Sequence, residues 1–254
     1  MLMSSVIAHR GARGQAAENS LRAIELAAEQ GCVWVELDVM LSADQVPVIF
    51  HDNQLDRLTN GFGAVKDHHW VELQRLKVHP PRGLSETAQR IPSLHQALQK
   101  LQQLGLGLNL EIKPNHAADR IKTLQLSLEV LQEFPGVPVV LSSFRHQALE
   151  EAKKLAPHLP RAVLWEGLPA DWQQKAQALE VRAVHLAAFA LRRWQVAEIR
   201  SLGLEVYIYT VNSVKQAQHF KSWGVTGMFS DYPDRLLQLP GWRSRQLQAY
   251  GEVV

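Results

Sequence analysis

Leu108-Asn109-Leu110-Glu111-Ile112, the helical run 119–133, and Val137-Pro138-Val139-Val140-Leu141-Ser142 together decide the fold. The outer two pieces are short, apolar and rich in aliphatic side chains, as strands are. The middle piece is made of good helix formers. A helix between two strands implies that the strands run parallel. The same alternation continues to the far end of the chain. Strands are expected at 161–165, 183–186, 205–210 and 226–230, with helices through 146–155, 170–179, 191–202 and 214–223.

Toward the N-terminus the pattern is looser. Val6-Ile7-Ala8 reads as the first strand. A helix over 20–30 follows, with Asn19 or Ser20 as its N-cap and Gly31 suited to C′. The second strand spans 33–41. Only Ser42-Ala43-Asp44-Gln45 separates it from Val46-Pro47-Val48-Ile49-Phe50, which is too short for a helix, so these two runs form an antiparallel hairpin. Residues 53–90 have no clean period and include Pro80-Pro81. They read as an excursion with some helix near 71–76, of the kind that serves as a lid. A helix over 93–104 returns the chain to the alternation.

Setting aside the hairpin return, eight strands alternate with helices, which is the signature of an α/β (β/α)8 TIM barrel. A barrel of 254 residues is commonly one domain, here with a hairpin and an insertion of about 53–92 after the second strand. A doubly wound open sheet is the alternative. Its G-x-G-x-x-G does not follow the first strand.

The composition excludes several classes. No apolar run approaches the roughly 18 residues that span a bilayer, so no stable membrane insertion is expected. The start, Met1-Leu2-Met3-Ser4-Ser5, lacks the pattern of a secretory signal, and a cytoplasmic location is expected. The single cysteine, Cys32, permits no internal disulfide and reads as a buried structural thiol. The formal charge is +2 and the basic residues are scattered, so no nucleic-acid partner is expected. The chain is read as a monomer or homodimer. The tail over 240–254, with Trp242 and Tyr250, is expected to pack on the outside.

In a barrel, chemistry gathers at the C-terminal ends of the strands. His9 and Arg10 end the first strand, and Glu36 and Asp38 share one face of the second. Glu111 and Lys113 repeat that spacing at the end of the next. Three converging carboxylates repel one another, and a hard divalent cation relieves the repulsion. All-oxygen ligation suits one Mg²⁺ or Ca²⁺. With Arg10 and Lys113 added, the local charge balances one anionic group such as a phosphodiester. The hairpin brings His51 back over the mouth near His9, and two histidines flanking a phosphate can serve as general base and general acid. His68-His69 reads as surface and His185 as a structural residue.

The residues His9-Arg10-Gly11, Glu18-Asn19-Ser20, Glu36-Leu37-Asp38-Val39, His51-Asp52, Leu55-Asp56-Arg57, Thr59-Asn60-Gly61, Glu111-Ile112-Lys113, Ser143-Phe144, Thr210-Val211-Asn212 and Ser230-Asp231-Tyr232-Pro233 form an ordered set. With it the chain resembles the glycerophosphodiester phosphodiesterase family in its compact bacterial form, from about Val6 to Pro233. The resemblance implies a barrel that hydrolyses small glycerophosphodiesters to glycerol 3-phosphate and an alcohol. It implies Glu36, Asp38 and Glu111 as metal ligands, His9 and His51 as the acid–base pair, and Arg10 and Lys113 as holders of the phosphate. Phe144 and Tyr209 are expected to contact substrate. Four positions depart from the family pattern: Ser20 for Thr, Leu58 within Arg-Thr-Thr, Tyr209 for a frequent Trp, and Phe229-Ser230 for an apolar-Thr pair. Of these, Tyr209 changes the shape and hydrogen bonding of one pocket wall.

Two rival readings stand beside this one. A lysophospholipase D needs an apolar wall near the mouth, to which Phe62, Trp70 and Tyr209 can contribute. A phosphate-ligand binding protein would have lost catalysis, although every expected catalytic residue type is present.

Overall fold

The computed structural model describes residues 2–85, 87–116 and 119–242. Strand β1 (Val6–His9) leads through α1 (Leu21–Glu29) to β2 (Trp34–Leu41), which turns back as β3 (Pro47–Ile49). The excursion holds α2 (Trp70–Leu73) and a small antiparallel pair, β4 (Lys77–Val78) and β5 (Gln89–Arg90). The regular alternation begins with α3 (Leu94–Leu104), β6 (Gly107–Ile112), α4 (Arg120–Gln132), β7 (Val139–Ser143) and α5 (His146–Leu155). It continues through β8 (Arg161–Trp165), α6 (Trp172–Ala178), β9 (Ala183–Ala187), α7 (Arg193–Ser201), β10 (Glu205–Tyr209), α8 (Val214–Ser222), β11 (Gly227–Ser230) and α9 (Pro233–Leu237).

Strand β1 pairs in parallel with both β2 and β11, so eight parallel strands close into a barrel. β3 adds an antiparallel ninth strand against the outer part of β2, pairing Val39 with Ile49 and Leu41 with Pro47. The expected (β/α)8 architecture with a hairpin after its second strand is therefore present.

Alternation along the strands sorts side chains into two layers. Outward positions such as Val35, Leu37 and Val39 pack with Leu98 and Leu101 of α3 and Leu124 of α4. Inward positions at the opposite end from the site make an aromatic floor of Ile7, Trp34, Val140, Tyr207 and Phe229. Two glycines make room for the largest rings. A Cβ at Gly107, which faces Trp34 across the ladder, would lie 2.6 Å from the indole. One at Gly227, which faces Tyr207, would lie 2.8 Å from the phenol ring.

Helix ends follow local chemistry. Ser20 is the N-cap of α1, its Oγ accepting from the Ala23 amide at 3.1 Å. Ser93 and Gln96 cap α3 reciprocally, the Ser93 Oγ accepting from the Gln96 amide at 3.2 Å and Gln96 Oε1 accepting from the Ser93 amide at 3.0 Å. Where boundaries differ from expectation, backbone demand explains it. β7 starts at Val139 because the Val137 amide donates to Phe134 O in the preceding turn and Pro138 has no amide to offer. α7 starts at Arg193 because Ala188–Ala190 form a 3₁₀ turn.

The excursion has its own core. Leu55, Leu58, Val65 and Leu73 pack with Met40, Val48 and Phe50 at the outer end of the hairpin. The helix expected near 71–76 is α2, while the β4–β5 pair and α9 are additions to the expected elements. Trp242 is buried beside Leu236 and Leu239 as expected, while Tyr250 lies outside the described residues. Cys32 is buried, and burial pushes its thiol up to about 12. No helix of the described residues is long and apolar enough to cross a membrane.

Candidate active site

The site is assembled by strand register. Glu36 and Asp38 occupy alternate, inward positions of β2. Across one ladder Asp38 lies opposite Glu111 of β6, and across the other Glu36 lies opposite His9 of β1. Neighbouring strands run about 4.8 Å apart, so carboxylates in register are forced close together. One oxygen from each of Glu36, Asp38 and Glu111 lies within 4.8 Å of the other two.

Burial makes this arrangement costly for a protein without a cation. It raises Glu36 well above the ordinary carboxylate range, and the charges of Asp38 and Glu111 raise it further. Burial, then the charge of Asp38, raises Glu111 to about 8. Asp38 is also opposed by burial, yet Arg10, Lys113 and His51 hold it below its usual value. Glu36 Oε1 is buried and has no hydrogen-bond partner among the described residues. Two carboxylates that resist ionisation and one orphaned acceptor, all oxygen donors, fit a hard divalent cation.

Both sequence-predicted cations reach this cluster. Arg10 takes a left-handed backbone conformation, φ 56°, which costs a non-glycine residue roughly 1 kcal/mol. That turn aims its amide at Glu36 Oε2, to which it donates at 2.9 Å, and its carbonyl accepts from the Asn19 amide at 3.0 Å. The Arg10 guanidinium donates to Glu18 Oε1 at 2.6 Å and lies 3.4 Å from Asp38 Oδ2. Burial acts to lower this group, but Asp38, Glu18 and Glu36 hold it above its ordinary value. Lys113 follows β6, where its amide donates to Val39 O at 3.0 Å, and its Nζ lies 3.7 Å from Asp38 Oδ1.

Each histidine rests on a carboxylate. His9 Nδ1 lies 2.7 Å from Asp231 Oδ1, and its Nε2 lies 3.9 Å from Glu36 Oε2. Asp231 is itself fixed, accepting from Asn212 Nδ2 at 2.8 Å and lying 3.1 Å from Arg13 Nε. His51 arrives through the hairpin, where the Phe50 amide donates to Asp38 O at 3.0 Å. Its Nδ1 lies 2.6 Å from Asp52 Oδ1. Arg57 grips Asp52 with two hydrogen bonds, at 2.5 and 2.9 Å, and also reaches Glu18 Oε1 at 3.3 Å. A charged chain thus runs Asp52–Arg57–Glu18–Arg10–Asp38. Burial lowers both histidines below the ordinary imidazole value, outweighing the carboxylates that raise them.

The opposite side of the mouth is apolar. Phe144 follows β7 and meets Tyr209 of β10 edge to face, with ring centroids 6.0 Å apart. The Tyr209 hydroxyl donates to Trp165 O at 3.0 Å, so the hydrogen bonding that this residue adds is spent within the protein. Phe62 stands 77% exposed on the excursion, and Trp70 packs on the excursion's own core. His185 lies in the barrel floor between Tyr207 and Phe229, away from the carboxylates, and neither ring nitrogen has a hydrogen-bond partner among the described residues. His68 and His69 belong to the surface of the excursion.

Several residues of this constellation have no role assigned by sequence pattern: Glu18, Asn19, Asp52, Arg57, Asn212 and Asp231. Asn19 holds Asp38 by donating from Nδ2 at 2.9 Å. Asp52 and Arg57 belong to the excursion after β3, whereas Glu18, Asn19, Asn212 and Asp231 lie just beyond a barrel strand or just before its helix. Polar residues at that position are the available signal.

Fold and site define a (β/α)8 barrel with an acidic cluster at its mouth that could hold a metal ion. The model of the glycerophosphoryl diester phosphodiesterase family matches residues 9–235. A glycerophosphodiester phosphodiesterase from Caldanaerobacter subterraneus is 32% identical over 235 residues, covering 92% of this chain and 96% of the relative. One from Bacillus altitudinis is 30% identical over 242 residues, covering 93% and 98%. Among solved structures, a phosphodiesterase from Oleispira antarctica in complex with the product sn-glycerol-3-phosphate is 37% identical, with a TM-score of 0.89 over 92% of this chain and 95% of that one. The chain belongs to the glycerophosphoryl diester phosphodiesterase family and is a phosphoric diester hydrolase.

Proposed function

We propose that the chain hydrolyses glycerophosphodiesters to glycerol 3-phosphate and an alcohol in a metal-dependent reaction. Glu36, Asp38 and Glu111 hold one divalent ion, Mg²⁺ or Ca²⁺. The observation that carries this reading is three buried carboxylates within 4.8 Å, flanked by two histidines whose Nδ1 atoms rest on carboxylates. The product bound to the Oleispira antarctica relative supports the substrate class.

An ion at this site supplies Lewis-acid polarisation of a phosphoryl oxygen. The remaining chemistry belongs to side chains. Asp231 accepts the Nδ1 proton of His9, and Asp52 that of His51, so each Nε2 is left to exchange protons with substrate. One Nε2 takes the proton of the attacking hydroxyl, either from water, which gives glycerol 3-phosphate directly, or from the neighbouring glycerol hydroxyl, which gives a cyclic phosphate that a water then opens. As the bond from phosphorus to the leaving oxygen breaks, the other Nε2 returns a proton to that oxygen. Arg10 and Lys113 offset the charge gathering on the remaining phosphoryl oxygens. Phe144 and Tyr209 form the wall against the non-reacting part of the substrate.

The test is release of glycerol 3-phosphate from substrates with several headgroups, with Mg²⁺ and Ca²⁺ compared. EDTA is expected to abolish turnover, and survival of activity in EDTA would remove the carboxylate assignment. His9→Ala and His51→Ala should each lower kcat by on the order of 10²–10⁴-fold. Unchanged turnover in both variants would remove the acid–base assignment. The exposed edge of Phe144 favours a second reading, hydrolysis of lysophospholipids. Turnover of glycerophosphocholine without turnover of its acylated analogue rejects that reading.

A further inference from the structure

The connections that follow β9 and β10 expose large apolar groups that the reaction does not use. Phe189, in the 3₁₀ turn after β9, is 80% exposed, and Trp194, in the first turn of α7, is 63% exposed. Val214 opens α8, after the adjacent strand β10, and is also exposed. A helical side chain leans toward its helix N-terminus, so Trp194 projects back toward the barrel mouth rather than away from it. The buried side of α7 is taken by Gln195, Val196 and Ile199, which leaves Trp194 on the solvent side.

Charge around these groups is one-sided. Arg192, Arg193 and Lys215 are exposed on the same two connections and make no ion pair with a described residue. On the neighbouring β8–α6 connection Asp171 is paired with Lys175 at 2.9 Å, and Glu198, one turn beyond Trp194 on α7, accepts from Gln173 Nε2 at 2.9 Å. Solvent is a poor environment for a phenyl ring and an indole this exposed, and single-residue packing does not explain two of them five residues apart. Aromatic groups set among cations suit the boundary between water and an anionic lipid layer. The rings enter the headgroup zone while the guanidinium and ammonium groups meet lipid phosphates.

We propose that this edge of the catalytic face, built on Phe189 and Trp194 and ringed by Arg192, Arg193 and Lys215, docks reversibly on anionic lipid surfaces. Docking places the barrel mouth at the headgroup layer. Phe189, Trp194, Arg192, Arg193 and Lys215 are not among the carboxylates, the histidines or the residues hydrogen-bonded to them, so docking and hydrolysis are measured independently.

The experiment is co-sedimentation of the full chain with vesicles of phosphatidylglycerol, and with vesicles of phosphatidylcholine alone, at low and high salt. Binding to the anionic vesicles is expected, with little to the neutral ones and loss of binding at high salt. Each of Arg192→Gln, Arg193→Gln and Lys215→Gln should weaken binding about five-fold. Phe189→Ala/Trp194→Ala should weaken it on the order of ten-fold or more while leaving hydrolysis of a water-soluble glycerophosphodiester unchanged. Trp194 emission should shift to the blue on binding, a change that Trp194→Phe removes. The proposal is overturned if the wild-type chain ignores anionic vesicles. It is equally overturned if the double variant binds them as well as the wild type, because charge alone then suffices. If the double variant loses turnover of the soluble substrate, the two rings belong to the active site and the docking role is rejected.

Discussion

The two arcs of the barrel mouth are built from the same strand–helix unit and differ in what their strand ends carry. On the arc of β1, β2 and β6, four inward groups near the end are ionisable: His9, Glu36, Asp38 and Glu111. On the arc of β7 to β10 the mouth carries Phe144 and Tyr209, with the Tyr209 hydroxyl tied to the Trp165 carbonyl. The contrast has a geometric cause. Strands β1, β2 and β6 are neighbours in the barrel, so register alone brings these side chains together.

Substitutions test this division, the largest effect falling on the charged arc. Glu36→Gln should lower kcat on the order of a thousand-fold and abolish metal binding in calorimetric titration. It should also stabilise the metal-free protein by about 1–2 kcal/mol in thermal unfolding, since a repelled, desolvated charge is removed. A drop in metal-free stability would contradict the reading of this arc as strained. Next, Asp231→Asn removes the carboxylate under His9, and kcat should fall by about 10–100-fold at nearly constant KM. Asp52→Asn should fall less far, because Asp52 and His51 are more open to water than Asp231 and His9. Equal losses would mean that burial does not distinguish the two pairs.

On the apolar arc, Phe144→Ala should raise KM about five-fold with kcat nearly unchanged, as for about 1 kcal/mol of lost apolar contact. A loss confined to kcat would place Phe144 among the reacting groups. The smallest effect at neutral pH belongs to the floor below both arcs. Burial lowers His185 to about 3 from its ordinary 6.5. The unfolded chain therefore binds a proton that the folded one refuses between about pH 6.5 and 3, and stability should fall by about 1.4 kcal/mol for each pH unit lost across that window. Above pH 6.5 this contribution is flat. His185→Phe should reduce the acid slope measured by denaturant titration, and an unchanged slope would show that other groups set it.

Much of the barrel and its charged arc is legible in the residue pattern alone. The strand–helix alternation specifies the barrel because period and length are local properties. Ser93 and Gln96 announce their helix for the same reason. Glu36, Asp38 and Glu111 stand out as charges inside apolar strands. The excursion is not legible beyond its existence, since its two-residue strands have no period and its core draws on Phe50 and Met40 of the barrel hairpin. The chain Asp52–Arg57–Glu18–Arg10 is hidden because no local pattern links residues 57 and 18.

By itself the sequence determined the order of strands and helices, the candidate metal-ligand types and the two histidines, because spacing along one strand fixes which side chains share a face. Tertiary structure decided what supports them. His9 and Asp231 are 222 residues apart in the chain, yet they meet at 2.7 Å because β1 closes the barrel against β11. His185 and Asp38 are both buried, inward-facing polar residues, and only their depth separates a lone imidazole on the floor from a carboxylate held by Asn19, Arg10 and Lys113 at the mouth. Strand alternation fixes a face but not a height along the barrel, and height comes from the register that closure imposes.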